Sequence, residues 1–391
     1  MLSQATPVAT LPRPAADIVG RVANVRAQML AAGEAIERDR RVPADLLAAL
    51  HREKFYRLLL PRVYGGEEVE PSTFFRTQAA LAAADGSVAW CICQANGCAM
   101  SAAIVEPTVA QKVWGDDPHG VLAWGPGKGE ATAVDGGYRV SGSWAFASGS
   151  RHATWLGSHC SMPMPDGSVK ERTMLIPASQ VSFTDIWDVI GLRGTASDAF
   201  SVKDVFVPRD YSLVRYGPEK QYCNGPLFAF SSSAMYSVGF SAVAFGLARE
   251  MLDIFKALAV DKQPRRTPTV LRENNVVQAD VAVAEARLAA AEALITDHLD
   301  KMYDEAKSQG ELSVDSRMRL RLFTTFTIHE AKAVADSVYD ASGATAVFKS
   351  HPLERRFRDI HTVTQQIQGR KAHFQTVGAY MLGLPADVDS L

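Results

Sequence analysis

The sequence carries no excess of either charge: 41 Lys and Arg stand against 43 Asp and Glu, a formal net charge of -2 over 391 residues. Without a positive field it has nothing to draw in a phosphate backbone or an anionic lipid surface, so neither nucleic acid nor membrane is an expected partner. Cysteine is scarce and odd in number: Cys91, Cys93, Cys98, Cys160 and Cys223. Three of these share one apolar stretch, a pattern of reduced thiols in a cytoplasmic setting rather than a disulfide frame. No Cys or His pair at zinc-finger spacing accompanies Cys91 and Cys93, so no metal is expected. Long apolar runs are missing as well, because Asp85, Gln94 and Asn96 interrupt the best candidate short of the ~20 residues a membrane span needs. The first seventeen residues lack the basic-then-apolar order of a signal peptide and read as a disordered lead-in.

What is present is ordinary for a globular chain, with 47% apolar and 21% charged residues. At about 150 residues per domain the length suggests two or three domains. Ile18, Val22, Val25, Met29 and Leu30 recur at three and four, and Val42-Pro43 opens a second amphipathic run, so residues 15–118 read as an N-terminal helical domain. Between 119 and 224 the pattern changes to short alternating runs broken by Gly, Pro, Asp and Ser, the signature of a central β domain. From 225 to 391 the helical period returns over roughly 228–260, 270–308, 313–341 and 352–381, which predicts a C-terminal four-helix bundle. The stretch from Asp261 to Thr269 is a loop between two of its helices.

The common catalytic signatures are absent. Gly125 to Glu130, GPGKGE, leads into a turn and a strand instead of a helix, so it fails as a phosphate loop. There is no Gly-x-Ser-x-Gly elbow and no His-Glu-x-x-His, which leaves hydrolase and metalloprotease chemistry without local support.

Four segments do carry a specific pattern: GGYRVSGSWAFASG from Gly136 to Gly149, DVIGLRGTAS from Asp188 to Ser197 with VFVP from Val205 to Pro208, LERRFRD from Leu353 to Asp359, and LLPRVYGG from Leu59 to Gly66. In order and spacing these resemble the acyl-CoA dehydrogenase superfamily over residues 20 to 385, an α+β acyl-CoA dehydrogenase-like fold. Dehydrogenases of that superfamily need a carboxylate to remove an α-proton while hydride passes to the flavin. Neither place where the superfamily carries it has an acid here: Met235-Tyr236 and Thr364 to Gly369 contain none. Residues Trp144 to Trp155 and Asp185 to Thr195 are instead similar to the two-component (group D) flavin monooxygenase branch. That resemblance implies reduced FMN or FAD as cofactor, O2 as co-substrate, and a flavin C4a-hydroperoxide that oxygenates a small aromatic or heteroaromatic molecule. It also implies a separate NAD(P)H:flavin reductase, since no nicotinamide fingerprint is present, and a homotetramer. An acyl-CoA dehydrogenase, a CoA-thioester oxygenase, or an N- or S-oxygenase of the same fold is the alternative.

The same resemblance nominates residues. Ser148 stands where the branch places a hydroxyl beside flavin N5 in a water-poor pocket. Phe146 precedes it on the flavin-facing strand, and Trp124 borders the ring or belongs to the core. Arg265 and Arg266, taken to begin the second bundle helix, would hold the flavin phosphate with Gln278 further along, and Gly343 would approach the nucleotide portion. Phenol hydroxylases of this branch use two histidines; here Cys98 and Gln366 stand near those places. His152, His361 or His373 could substitute, and an electron-rich substrate such as an indole, sulfide or amine becomes competitive.

Overall fold

Short polar caps start the long helices where the sequence leads one to look. The computed structural model describes residues 17–387 apart from 164, 165 and 218, so the lead-in expected before Asp17 lies outside the described residues. The N-terminal part contains α1 (Ala23–Asp39), α2 (Ala44–Arg52), α3 (Pro71–Ala84), α4 (Gly86–Ala99) and the short α5 (Pro107–Ala110). Pro43 and Pro71 open α2 and α3, and the Asp85 side chain caps α4 by accepting from the Val88 amide.

Eight strands follow among the described residues: β1 (Leu122–Trp124), β2 (Gly127–Val134), β3 (Gly137–Ala147), β4 (Trp155–Pro163), β5 (Val169–Pro177), β6 (Ser182–Thr184), β7 (Asp198–Pro208) and β8 (Ser212–Leu213). They form one sheet in the order β6-β7-β3-β2-β4-β5-β8, with β1 parallel to β4. Along β3 the residues Tyr138, Val140 and Trp144 point inward, and Trp144 stacks on Phe200 of β7 with ring centres 5.1 Å apart. An extra residue then enters β3 opposite β7, between the pairs Trp144 with Phe200 and Ala147 with Asp198. This bulge puts Phe146 at φ 56 and shifts the parity, so that Ala147 is the next residue to turn inward. The tip of β3 is thereby aimed at α4.

The C-terminal part begins at α6 (Ser232–Asp261), capped by Ser231, and continues with α7 (Asn275–Gln309), capped by Asn274, and α8 (Val314–Ser342), capped by Ser313. Two expectations are corrected here. The last helix is not continuous over 352–381: α9 (Pro352–Val363) ends at Thr364, a single turn over Ile367–Gly369 is capped by the Gln366 side chain, and α10 (Ala372–Met381) starts afresh. Gly369 packs so closely on Thr364 that an added Cβ would meet its carbonyl oxygen at 3.0 Å, a fold-back that apolar periodicity does not encode. Arg265 and Arg266 do not begin a helix; both are exposed in the loop between α6 and α7, nine or more residues before Asn275.

The LERRFRD segment ties the three parts together. On α9, Arg355 pairs with Asp85 at 3.0 Å, Arg358 reaches Glu37 of α1 at 2.8 Å, and Asp359 accepts from the Leu192 amide at 2.6 Å. Gly194 packs on Ile36 and Ser87, and its amide donates to Ser87 Oγ at 3.1 Å. These contacts clamp the loop from Leu192 to Ser197 against the tip of β3.

Candidate active site

Three residues of α4 spaced by four, Trp90, Gln94 and Cys98, share one helix face. Tyr236 and Phe240 do the same on α6. The two helices approach closely because glycines stand at the crossing: a Cβ on Gly97 would lie 2.2 Å from the Tyr236 ring, and one on Gly239 would lie 2.3 Å from Cys93 Sγ. The faces merge into a line of rings. Trp90 stacks on Phe240 with centres 3.8 Å apart, and Phe240 lies nearly parallel to Tyr236 at 5.7 Å.

At one end of this line the Trp90 indole donates to Ser148 Oγ at 3.0 Å, Ser148 meets Ser197 Oγ at 2.7 Å, and Ser197 meets Thr195 Oγ1 at 2.8 Å. Thr195 donates to the Leu192 carbonyl at 2.9 Å. Each hydroxyl owns one hydrogen, so the direction of the whole chain follows. Thr195 commits its hydrogen to a carbonyl, Ser197 must therefore donate to Thr195, and Ser148 must donate to Ser197. Ser148 has accepted from Trp90 and given away its only hydrogen; what remains to it is one lone pair. The serine is 7% exposed, so few waters reach that lone pair.

At the other end Cys98 Sγ lies 3.2 Å from Tyr236 Oη, and the Gln94 amide reaches both and the Trp124 carbonyl. Burial pushes the Cys98 thiol up to about 12, against the smaller opposing pull of its bond to Tyr236, and burial raises the Tyr236 phenol well above its ordinary value. Both groups are therefore neutral, and neither can act as a base near neutral pH. Trp124 lies inside, its ring 4.5 Å from the Arg215 guanidinium.

Comparison with known proteins places the chain among its relatives. The family model described as "Acyl-CoA dehydrogenase, C-terminal domain" matches residues 238–370. The chain is 30% identical to the indole-3-acetate monooxygenase of Pseudomonas putida, over 89% of each chain. It is also 30% identical to the FADH(2)-dependent resorcinol hydroxylase, oxygenase component, of Rhizobium sp., over 95% of each. The crystal structure of the HsaA monooxygenase from M. tuberculosis superposes with a TM-score of 0.87 at 26% identity, covering 97% of this chain and 100% of that one. The chain belongs to the flavin-dependent monooxygenases of the acyl-CoA dehydrogenase fold.

As a flavin-dependent monooxygenase it can be tested for fit to the group it must hold. N5 of a reduced flavin carries a hydrogen and N5 of an oxidised flavin does not, whereas Ser148 has only an acceptor to offer, so a Ser148 set against N5 would match the reduced form. Gln366, on the turn between α9 and α10, is a separate candidate. Its Oε1 accepts from the Gln368 amide at 2.7 Å while its Nε2 is buried without a partner, a donor suited to a ring carbonyl. No carboxylate shares a hydrogen bond with Ser148, Trp90, Cys98 or Tyr236 among the described residues.

The structure brings Ser148, Trp124 and Cys98 onto this one aromatic line and leaves the other nominated residues elsewhere. Phe146 is 60% exposed, in edge contact with Trp187 at 6.0 Å between ring centres, on the outer side of the strand tip. His152 sits where the β domain meets the turn before α2: its Nε2 accepts from the Val42 amide at 3.1 Å, and burial holds its pKa down to about 4. His361 bonds Asp336 of α8, and His373 bonds Thr325. The Gln278 amide donates to the Arg272 carbonyl on the exposed start of α7. Gly343 follows α8 at φ 53, where Lys262 donates to the Ser342 carbonyl and to Thr345 Oγ1. Sequence reasoning missed Trp90, Ser197, Thr195, Tyr236 and Phe240 as a group, although the i, i+4 spacing of aromatic and polar residues on α4 and α6 was a usable signal.

Proposed function

We propose that this protein is the oxygenase component of a two-component system, using reduced FMN or FAD delivered by a separate NAD(P)H:flavin reductase to insert one oxygen atom into a small aromatic or heteroaromatic molecule. Reduced flavin, when bound, supplies the two electrons that let O2 give one atom to the substrate and the other to water. The observation carrying this reading is the one-way hydrogen-bond chain from Trp90 through Ser148, Ser197 and Thr195, which leaves an acceptor facing a nearly dry site. Ser148 would hold the proton on flavin N5, and the Gln366 amide would meet a ring carbonyl. Trp124 would border the ring system from the inside, and Phe146 could do so only from the exposed side of the strand tip.

The nucleotide tail is assigned to Gly343 and its neighbours, with Arg265, Arg266 and Gln278 supplied by another copy of the chain. Their exposure supports that, as does α7, where Val276, Ala279, Val283, Ala286, Ala290 and Leu294 form an exposed small apolar face suited to a homotetramer. No helix of the described residues is long and apolar enough to cross a membrane. All five cysteines are unpaired, which favours the cytoplasm as the site of action.

Cys98 and Tyr236 stay neutral and cannot ionise a phenol, so the reading favours a substrate that is electron-rich without losing a proton. His152 holds the Val42 turn and takes no part in the chemistry on this reading. The test is stopped-flow: anaerobic protein with photoreduced FMN or FAD, mixed with oxygenated buffer. Return of oxidised-flavin absorbance after a distinct lag, longer than in buffer alone, supports the proposal; return in a single phase at the rate of free flavin, with all oxygen recovered as peroxide, overturns it.

A further inference from the structure

A cavity of about 310 Å³ opens beside Trp124 where the end of α4, the segment after β8 and the start of α8 meet. Its apolar wall includes Met100, Ile104, Trp124 and Phe228, a surface suited to a flat ring in a pocket of ordinary ligand size. Two of the remaining lining groups are arginines, Arg215 and Arg317, and no acid lines it among the described residues.

Arg215 forms no ion pair among the described residues. It is held instead by neutral groups: its guanidinium lies over Trp124, and its Nη1 bonds His159 Nε2 at 3.1 Å. Burial holds the His159 imidazole down to about 3, so the ring accepts from Arg215, while its Nδ1 hydrogen goes to Thr173 Oγ1 at 2.8 Å. The cation is thus fixed in direction by residues that leave its charge unanswered. Its Nε is buried without a partner. Arg317, from the start of α8, has no side-chain hydrogen bond or ion pair among the described residues, and its Nε is likewise buried and unpartnered. Buried donors on permanent cations are stable when an anion completes them, and a planar guanidinium matches the geometry of a carboxylate, as it does that of a phosphate.

We propose that this cavity is the substrate pocket of the oxygenase and that its substrate is an aromatic molecule bearing a carboxylate, the ring lying along Trp124 and the carboxylate received by Arg215 and Arg317. The inference rests on the oxygenase reading for the chemistry but not for the binding. A shared anion between the two arginines would also draw the β domain and the start of α8 together over the substrate.

The test uses the flavin-free protein and three probes of one shape series: indole-3-acetate, indole-3-acetamide and indole, with binding read from calorimetry. Two charge-assisted contacts predict that the acid binds about tenfold to hundredfold more tightly than the amide. Arg215→Gln and Arg317→Gln, each checked for fold by circular dichroism, should each reduce that preference, and raised salt should weaken the acid but not the amide. Equal affinity for acid and amide overturns the proposal, as does an acid preference that survives in both variants. Failure of the oxygenase reading is separate: it requires that neither charged nor neutral aromatics be oxygenated with reduced flavin and O2, a result that leaves the acid-over-amide measurement standing.

Discussion

Ser148→Ala removes the acceptor that the Trp90 indole N–H has in this structure, and with it the hydrogen that Ser148 donates to Ser197. A buried donor left without a partner costs about 1 to 3 kcal/mol, so this variant should be less stable than the parent whether or not flavin ever touches the serine. A fall in melting temperature therefore decides nothing. The informative partner is Ser197→Ala, which keeps the Ser148 hydroxyl and its bond from Trp90 but removes the group to which Ser148 donates. Ser148 then regains a free hydrogen and becomes a donor as well as an acceptor. The reasoning predicts that the parent binds reduced flavin more tightly than oxidised flavin, that Ser148→Ala erases the part of this preference due to N5, and that Ser197→Ala narrows it by on the order of tenfold because oxidised N5 gains a donor. The assay is anaerobic equilibrium dialysis of both flavin forms, with peroxide released per reduced flavin consumed measured in parallel. Peroxide leakage should rise in both variants, more in Ser148→Ala. Wild-type coupling together with an unchanged ratio of the two affinities in Ser148→Ala would refute the assignment of Ser148 to the flavin.

Gly97→Ala should push a methyl group into the Tyr236 ring, and overpacking of that kind costs about 1 to 3 kcal/mol; urea unfolding would register it, and a wild-type midpoint would show that α4 and α6 can slide apart freely. Burial holds the imidazoles of His51 and His152 down to about 4 and that of His159 to about 3, so the unfolded chain takes up protons below its ordinary histidine pKa that the folded chain refuses. Stability should therefore fall as pH drops from about 6.5 towards 4, a slope visible in urea titrations at stepped pH. Asp359 works in the opposite sense: burial, then the charge of Asp85, pushes its carboxyl up to about 7, so its contribution declines as pH rises from about 4 to 7. Asp359→Asn keeps an acceptor for the Leu192 amide and should gain a few kcal/mol over wild type at pH 8 but not at pH 4, whereas equal loss at both values would contradict the raised carboxyl. Val283→Glu on the exposed face of α7 should lower the particle mass seen by light scattering; an unchanged mass in the variant, or a monomeric parent, would remove α7 as the assembly face.

Much of this molecule was legible before any coordinates. Alternation and helical period separate the β segment from the helices on either side because each element buries one face, and a buried face must repeat at 2.0 or 3.6 residues. The GGYRVSGSWAFASG and LERRFRD segments identified the family, and the lack of an acid near Met235 and Gln366 indicated oxygenase over dehydrogenase. The start of α2 after Val42-Pro43 follows from local signals that act within four residues. The break between α9 and α10 did not, since Gly369 folding onto Thr364 is a contact whose sign the apolar pattern does not carry. Nor did the loop position of Arg265 and Arg266. The bulge at Phe146 is likewise invisible in a strand that reads as regular. The site itself was decided by tertiary structure. Ser148 was nominated from a motif, but its direction as an acceptor depends on Trp90 from α4 and on Ser197 and Thr195 from a loop clamped by Asp359, four segments distant in sequence. Arg215 and Arg317 carry no motif at all; they matter because folding sets both against one cavity that no carboxylate lines among the described residues. Sequence periodicity reports which face of an element is buried, while hydrogen-bond direction and unpaired charge depend on what that face meets.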